Sequence, residues 1–481
     1  MPEEEPKDMD SGFDEEEEKN LDKWEEESKE KGLETEPSSD HEHYRPDRPA
    51  RDEPKCVKNA YLVENFAIHL LKVMKQYRTM REQRFKEHFK CEGKELNSIN
   101  IEFPPFQRTQ AIYAYNYFIA RELLEGRIDK NIRVEYYDDA DEVSPTYETL
   151  KVSRTKHEVF LTVGYQFIIY KGTPLIQDLY FTGSCRYVRI HFRKKDMDVA
   201  TDFMKEARDF MKEKNIFKGE KLLFAYGGHL TFLEYPKLNW GDVVLSPNIK
   251  KEFDLNLITP LVNEEQCKTS GVPWRRGLML GGLAGTGKTQ VCRILCNELK
   301  GVTVIWATPK AVQGEDDIAV LFEAARYFAP TLLVIEDIDF IGTSRDFAQD
   351  PSLGELLTQL DGNDPNYGIF VIATTNRPEM LDSALANRPS RFDVLIEFKL
   401  PDEQSRRGLV TLFSKNMCNL SPQELDTLVG TTKELTGAQI KEIFVYAQLK
   451  AIESKNPISL DDVKKRAQDY KPKTNAEAYR Q

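Results

Sequence analysis

Spaced apolar residues divide this chain into stretches of different period. Residues 1–54 show none: branched apolar residues are scarce, acids run in blocks, and the stretch closes on Arg45-Pro46-Asp47-Arg48-Pro49. Such a segment cannot bury enough surface to offset its ordering entropy, so a disordered acidic tail is expected, with Phe13 and Trp24 as lone apolar anchors. From Lys55 a period appears. Leu62, Phe66, Leu70, Val73, Tyr77 and Met80 recur three to four apart and predict a helix over Val57 to Lys90, with Lys72, Lys75, Arg78, Arg81 and Arg84 on its other side. That basic side suits either solvent and a partner helix or a nucleic acid, the first reading being the commoner. A second helix is expected from Thr109 to Arg127. Strands follow at Phe160–Tyr170, Leu175–Thr182 and Tyr187–Arg193, the last alternating Val188, Ile190 and Phe192 against Arg189, His191 and Arg193. An amphipathic helix over Asp198–Lys212 and a strand over Lys221–Phe232, broken at Gly227-Gly228, complete an α+β recognition unit of residues 55–235.

After Tyr235-Pro236 the rhythm changes. Short apolar runs at Leu278–Leu280, Val302–Trp306, Thr331–Ile335, Ile369–Ala373 and Val394–Phe398 alternate with helical spacing, the pattern of a parallel α/β sheet covered on both faces over residues 236–400. Residues 401–470 carry four helical patterns, at Arg406–Phe413, Pro422–Val429, Gly437–Ile452 and Leu460–Ala467, expected to form a small lid before a tail of residues 471–481.

Composition narrows the class. The 481 residues carry a net charge of −13. The tail, with 22 Asp and Glu against 8 Lys and Arg, accounts for −14, and the remainder stands at +1. A near-neutral body argues against a dominant nucleic-acid surface. Seven cysteines without a C-x-x-C pair suggest reduced thiols and a cytoplasmic protein, and no apolar run reaches the length of a membrane span. His157-Glu158 begins like a zinc motif but lacks a second histidine four residues on.

The chemistry gathers behind the run at Leu278. Gly282-Leu283-Ala284-Gly285-Thr286-Gly287-Lys288-Thr289 fits G-x-x-x-x-G-K-[ST] between a strand and a helix. Glycines let backbone N–H groups turn onto a phosphate, and the helix N-terminus adds positive potential. Lys288 suits the β/γ-phosphates, and the Thr289 hydroxyl suits Mg²⁺. The run Leu332–Ile335 then delivers Glu336 and Asp337, one acid for a metal or its waters and one to polarise an attacking water. Asn376 ends the next strand as an uncharged donor, and Arg388 and Arg391 follow where they could serve a neighbouring subunit.

These residues resemble the AAA family of AAA+ ATPases over residues 236–468. Gly282–Thr289 match its Walker A motif, Val334–Asp337 its Walker B motif, and Asn376 its sensor 1. The resemblance implies a P-loop NTPase fold with a helical lid, ATP and Mg²⁺ as ligands, and ATP hydrolysis. It implies a nucleotide site of Gly282, Gly285, Thr286, Gly287, Lys288, Thr289 and Gln290, with Asp242 and Val243 at the adenine and Gly437 and Ala438 at the lid. Thr289 and Glu336 would hold Mg²⁺, partly through water; Asp337, Asn376, Arg388 and Arg391 complete the catalytic set, the arginines acting in trans within a hexameric or heptameric homo-oligomer. Asp361-Gly362 resembles the intersubunit signalling segment, with Asn363 where an aromatic is usual.

The Glu336-Asp337 order and the lead-in Trp240–Pro247 are similar to the mitochondrial AAA translocase that exports the Rieske protein and to its soluble relatives. Between Trp306 and Asp317 no aromatic-hydrophobic-glycine grip stands at the expected central pore, which favours folded clients over threaded ones. The terminal Tyr479-Arg480-Gln481 places tyrosine third from the end, against proteasome docking by the usual tail. Three readings stand: a ring that remodels or translocates a protein client, a nucleic-acid machine such as a clamp or helicase loader, and a nucleotide-gated scaffold with little hydrolysis.

Overall fold

The computed structural model describes residues 81–138, 141–142, 144–182, 185–234, 236–341, 351–361, 366–378, 392–415, 420–456, 458 and 460–469. The acidic tail, most of the helix expected over Val57–Lys90, the segment at Gly362-Asn363, both arginines Arg388 and Arg391, and the terminal tail lie outside these residues.

The first sheet is antiparallel. Its strands are β1 (Leu96–Phe103), β2 (Arg133–Glu135), β5 (Thr146–Lys151), β6 (His157–Tyr170), β7 (Thr173–Thr182) and β8 (Cys185–Arg193), with the short pair β3 (Tyr137–Asp138) and β4 (Asp141–Glu142) apart from it. They run in the order β1-β8-β7-β6-β2, with β5 added alongside β6. Period-two alternation puts Val188, Ile190 and Phe192 on one face, where they pack with Leu175 and Leu179 against Tyr115 and Phe118 of helix α1 (Arg108–Leu124) and Phe203 and Phe210 of helix α2 (Met197–Glu213). The opposite face is covered as well. Phe85 and Phe89, from a helical stretch over 81–89, pack on Tyr165, Phe167 and Ile176, and the Phe85 ring stands 5.0 Å from the His191 ring.

The second sheet has seven strands in the order β10-β9-β12-β13-β14-β11-β15. They are β9 (Lys221–Phe224), β10 (Leu230–Phe232), β11 (Arg276–Gly282), β12 (Thr303–Ala307), β13 (Thr331–Ile335), β14 (Ile369–Thr375) and β15 (Val394–Phe398), all pairs parallel except β10 with β9. Register places Trp306 opposite Val334 and Val334 opposite Ile372. Here the expected boundary at residue 235 needs correction, because residues 221–232 belong to this sheet rather than to the first unit. The reason is the free edge of β12. Leu222 and Phe224 pair there and bury completely beside Ile305 and Leu333. Phe106 and Phe217 enter the same core, so the two sections share apolar packing around Phe328.

Helices α3 (Lys288–Glu298), α4 (Glu315–Tyr327) and α5 (Pro351–Asp361) flank the parallel strands. Four more follow: α6 (Glu403–Ser414), α7 (Pro422–Thr431), α8 (Gly437–Ser454) and α9 (Leu460–Asp469). They share a core of Val410, Leu428, Ile440, Ile443, Phe444 and Val463. Two starts are set by reciprocal caps, Ser421 with Glu424 and Thr436 with Gln439, each satisfying two orphan amides. Among the described residues no helix is long and apolar enough to cross a membrane.

Candidate active site

A cavity of about 740 Å³ opens between the carboxyl ends of the parallel strands and the start of α8, a size usual for small-molecule sites. Its floor is the loop between β11 and α3. Gly287, at φ +108°, turns the chain into α3, and Gly285, at φ +82°, lies directly against the lid. A Cβ on Gly285 would stand 2.8 Å from the Ala438 methyl and 2.9 Å from the Thr436 hydroxyl, and the Ala438 N–H donates to the Gly285 carbonyl at 3.0 Å. Ala438 thus reaches the loop through its backbone N–H, and Gly437 lines the cavity beside it.

Lys288 is buried, and all three of its ammonium donors are engaged. Nζ donates to the carbonyls of Gly282 (2.6 Å) and Leu283 (3.1 Å) and to Asn376 Oδ1 (2.9 Å). Burial lowers its pKa from the ordinary lysine value, while the charges of Asp337 and Asp339 pull the other way. Thr286, Gly287, Thr289 and Gln290 line the cavity beside it.

Strand β13 is buried along its whole length and delivers the acids at its end. Glu336 continues the ladder, its N–H donating to the Ala307 carbonyl (3.0 Å), and its carboxylate accepts from Trp306 Nε1 (3.0 Å). Asp337 then takes a left-handed conformation, φ +45° and ψ +57°, which costs a non-glycine residue roughly 1–2 kcal/mol. The bend is held by the Asp337 N–H donating to Thr374 Oγ1 (2.9 Å), and it brings the carboxylate to the cavity wall. Asn376 Nδ2 donates to Asp337 Oδ1 at 3.2 Å while its own Oδ1 accepts from Lys288. One amide therefore links the cation of the loop to the second acid. Burial, then the charges of Asp339 and Glu336, raise the Asp337 pKa above that of an ordinary aspartate, with Lys288 and Asn376 opposing.

Asp339 was not anticipated. Its Oδ1 accepts from the Asn376 N–H (3.2 Å), and among the described residues its buried Oδ2 has no hydrogen-bond partner. Among the described residues no group of three His, Cys, Asp or Glu is arranged to hold a metal ion. The Thr289 hydroxyl and the Asp337 carboxylate line the cavity together, oxygen donors of the kind a hard cation such as Mg²⁺ takes, while Glu336 and Asp339 do not line it. A third acid two residues after Glu336-Asp337 was the signal for Asp339.

Away from the loop, Val243, Val244, Leu245 and Ile249 face Leu409 and Phe413 across an apolar slot suited to a planar base. Val243 lines the cavity, whereas the Asp242 side chain does not. Its Oδ2 accepts the Asn239 N–H (2.9 Å), and the Asn239 side chain caps in return, a local N-x-x-D pair that turns the carboxylate back. Lys441 also lines the cavity, one turn after Gly437 on α8, a spacing legible once the helix start is known. Arg388 and Arg391 lie outside the described residues.

Residues 278–400 match the family described as ATPase family associated with various cellular activities (AAA). The chain is 34% identical over 242 residues to a proteasome-activating nucleotidase of Methanopyrus kandleri, covering 48% of this chain and 55% of that one. It is 32% identical to the protein of the same name from Thermococcus kodakarensis (48% and 60%) and 31% identical to Protein SAV of Sulfolobus acidocaldarius (48% and 31%). The chain thus spans less than two thirds of the length of these relatives.

Proposed function

We propose, from the premise that this chain carries a domain of the AAA ATPase family, that it binds Mg·ATP in the cavity between loop and lid and hydrolyses it. The observation that carries the reading is the Asn376 amide, bonded at once to Lys288 and Asp337. A phosphate-binding cation and a water-polarising acid are thereby held as one unit at the strand ends. The amides of Gly285–Thr289 and the Lys288 ammonium would receive the β- and γ-phosphates. Thr289 and Glu336 would hold Mg²⁺, partly through water, and when bound the ion neutralises charge on the phosphate oxygens. Asp337 would accept the proton of the attacking water while Asn376 orients that water. Val243 with Leu409 and Phe413 would enclose the base.

Arg388 and Arg391 complete the site from a neighbouring copy in this reading, which requires a homo-oligomeric ring. We assign the ring a protein client, in keeping with relatives named for activating a proteasome. A folded client, as handled by the Rieske-protein translocase subgroup, suits the segment after β12 better than a threaded one. Ala311 and Val312 are buried in the core, and of the apolar side chains between residues 308 and 314 only Pro309 stays partly open, leaving no aromatic or long aliphatic group there to grip an extended strand. ATP turnover by the purified chain, measured with and without Mg²⁺ and in Lys288→Met, tests the activity. Mg²⁺-dependent turnover abolished by Lys288→Met supports it; tight ATP binding without turnover in the unaltered chain overturns the hydrolytic part and leaves a nucleotide-gated scaffold.

A further inference from the structure

Resting on the reading that Glu336 holds the metal, we propose that Trp306 is a positioning residue that fixes the Glu336 carboxylate for Mg²⁺. The placement follows from strand register. Trp306 lies directly opposite Val334 across the β12/β13 ladder, and Glu336 is the next residue on the same face as Val334. Diagonal same-face neighbours in a sheet lie within reach of a long aromatic side chain. The indole is buried among Cys292, Leu295 and Val334 on the side of the sheet that carries α3, so its N–H needs an acceptor inside the fold. It finds one in Glu336 Oε2 at 3.0 Å.

Two features make this contact more than packing. Among the described residues no Lys or Arg nitrogen lies within ion-pair distance of Glu336. The indole N–H is a neutral donor, so it orients the carboxylate without setting a competing cation beside it. Glutamate also has one more rotatable bond than aspartate, and its terminal torsion is broad. A single donor on Oε2 sets that torsion and leaves Oε1 for the ion or its water. An outer donor that orients a ligating carboxylate commonly changes metal affinity by roughly 10- to 100-fold when removed.

The test uses the full chain and a fluorescent ATP analogue, titrated in EDTA and then across Mg²⁺ concentration. Trp306→Phe is expected to raise the Mg²⁺ midpoint by roughly 10- to 100-fold while leaving affinity in EDTA within about twofold, because packing is kept and only the donor is lost. In a Glu336→Asp background, whose carboxylate is withdrawn from the indole, the same substitution is expected to add less than about twofold to the midpoint. An unchanged Mg²⁺ midpoint in Trp306→Phe overturns the proposal. So does an equal loss with and without Mg²⁺, which would mark Trp306 as packing alone. If Trp306→Phe does not fold, 19F spectra of 5-fluorotryptophan-labelled protein decide: Glu336→Gln is expected to move one of the four tryptophan resonances, and none moving overturns the assignment. A chain whose nucleotide binding and turnover ignore Mg²⁺ overturns the metal reading beneath it, and the proposal with it. A shifted Glu336→Gln beside an unshifted Trp306→Phe overturns the role of Trp306 alone.

Discussion

Replacing Gly285 by alanine should separate the lid from the phosphate loop, and Gly287→Ala supplies its control. Both glycines sit at positive φ, +82° and +108°, so both substitutions carry the left-handed penalty of roughly 1–2 kcal/mol. Only one meets an obstacle. A Cβ on Gly287 has nothing within 4 Å, whereas on Gly285 it falls 2.8 Å from the Ala438 methyl and 2.9 Å from Thr436 Oγ1. Carbon atoms rest at roughly 3.5–4.0 Å, so the start of α8 must retreat by about 1 Å. That retreat stretches the 3.0 Å bond from Ala438 N–H to the Gly285 carbonyl beyond bonding range. Losing the bond costs about 0.5–1.5 kcal/mol and the overpacking about 1–3 kcal/mol. The excess of Gly285→Ala over Gly287→Ala is therefore about 1.5–4.5 kcal/mol, at least about a tenfold further loss of affinity for a ligand gripped by loop and lid together. Equilibrium titration of both variants with a fluorescent ATP analogue reads this difference directly. Equal affinities would refute the reasoning, since strain alone would then account for both.

Lys288→Met keeps the side chain's length and removes its charge. ATP affinity should fall by at least about tenfold, since charge-assisted bonds contribute roughly 1.5–3 kcal/mol each, and calorimetric titration checks it. In the nucleotide-free chain, burial and neighbouring acids raise the Asp337 pKa, so the ionised carboxylate is a penalty in the folded state. Asp337→Asn should accordingly melt higher than the unaltered chain at neutral pH. The gap should close as pH falls from the raised pKa towards the ordinary 3.8, as thermal unfolding across pH would show. Arg391→Ala should keep ATP affinity and lose turnover by about 10³–10⁵; mixed with Asp337→Asn subunits, it should regain part, because the partner returns the missing guanidinium. Full turnover by a solitary Arg391→Ala chain would contradict the role in trans.

Much of the nucleotide end was legible because its signals are local. Thr331–Ile335 and Val394–Phe398 are strands over the spans expected of them, since uninterrupted apolar runs between turns leave few alternatives. The glycine loop, Asp337 and Asn376 meet in one cavity because each sits at the carboxyl end of a parallel strand. What escaped depends on partners distant in sequence. Nothing within Lys221–Phe232 says that its hydrogen bonds go to β12 rather than to the first sheet. The helical turns between residues 247 and 269 carry no clear signal in the sequence, because exposed Leu255 and Val262 blur their apolar period. Asp242 resembles a base contact by position, yet Asn239, three residues earlier, claims its carboxylate. Trp306 and Glu336, thirty residues apart, become neighbours only once register is known.

Asp337→Asn carries the account's central claim that this acid polarises the attacking water. Mg·ATP turnover and equilibrium ATP binding should be measured side by side in that variant at saturating nucleotide. The account predicts affinity within severalfold of the unaltered chain and turnover lower by at least roughly 10²-fold, the range for a removed general base. Turnover at the unaltered rate would contradict it.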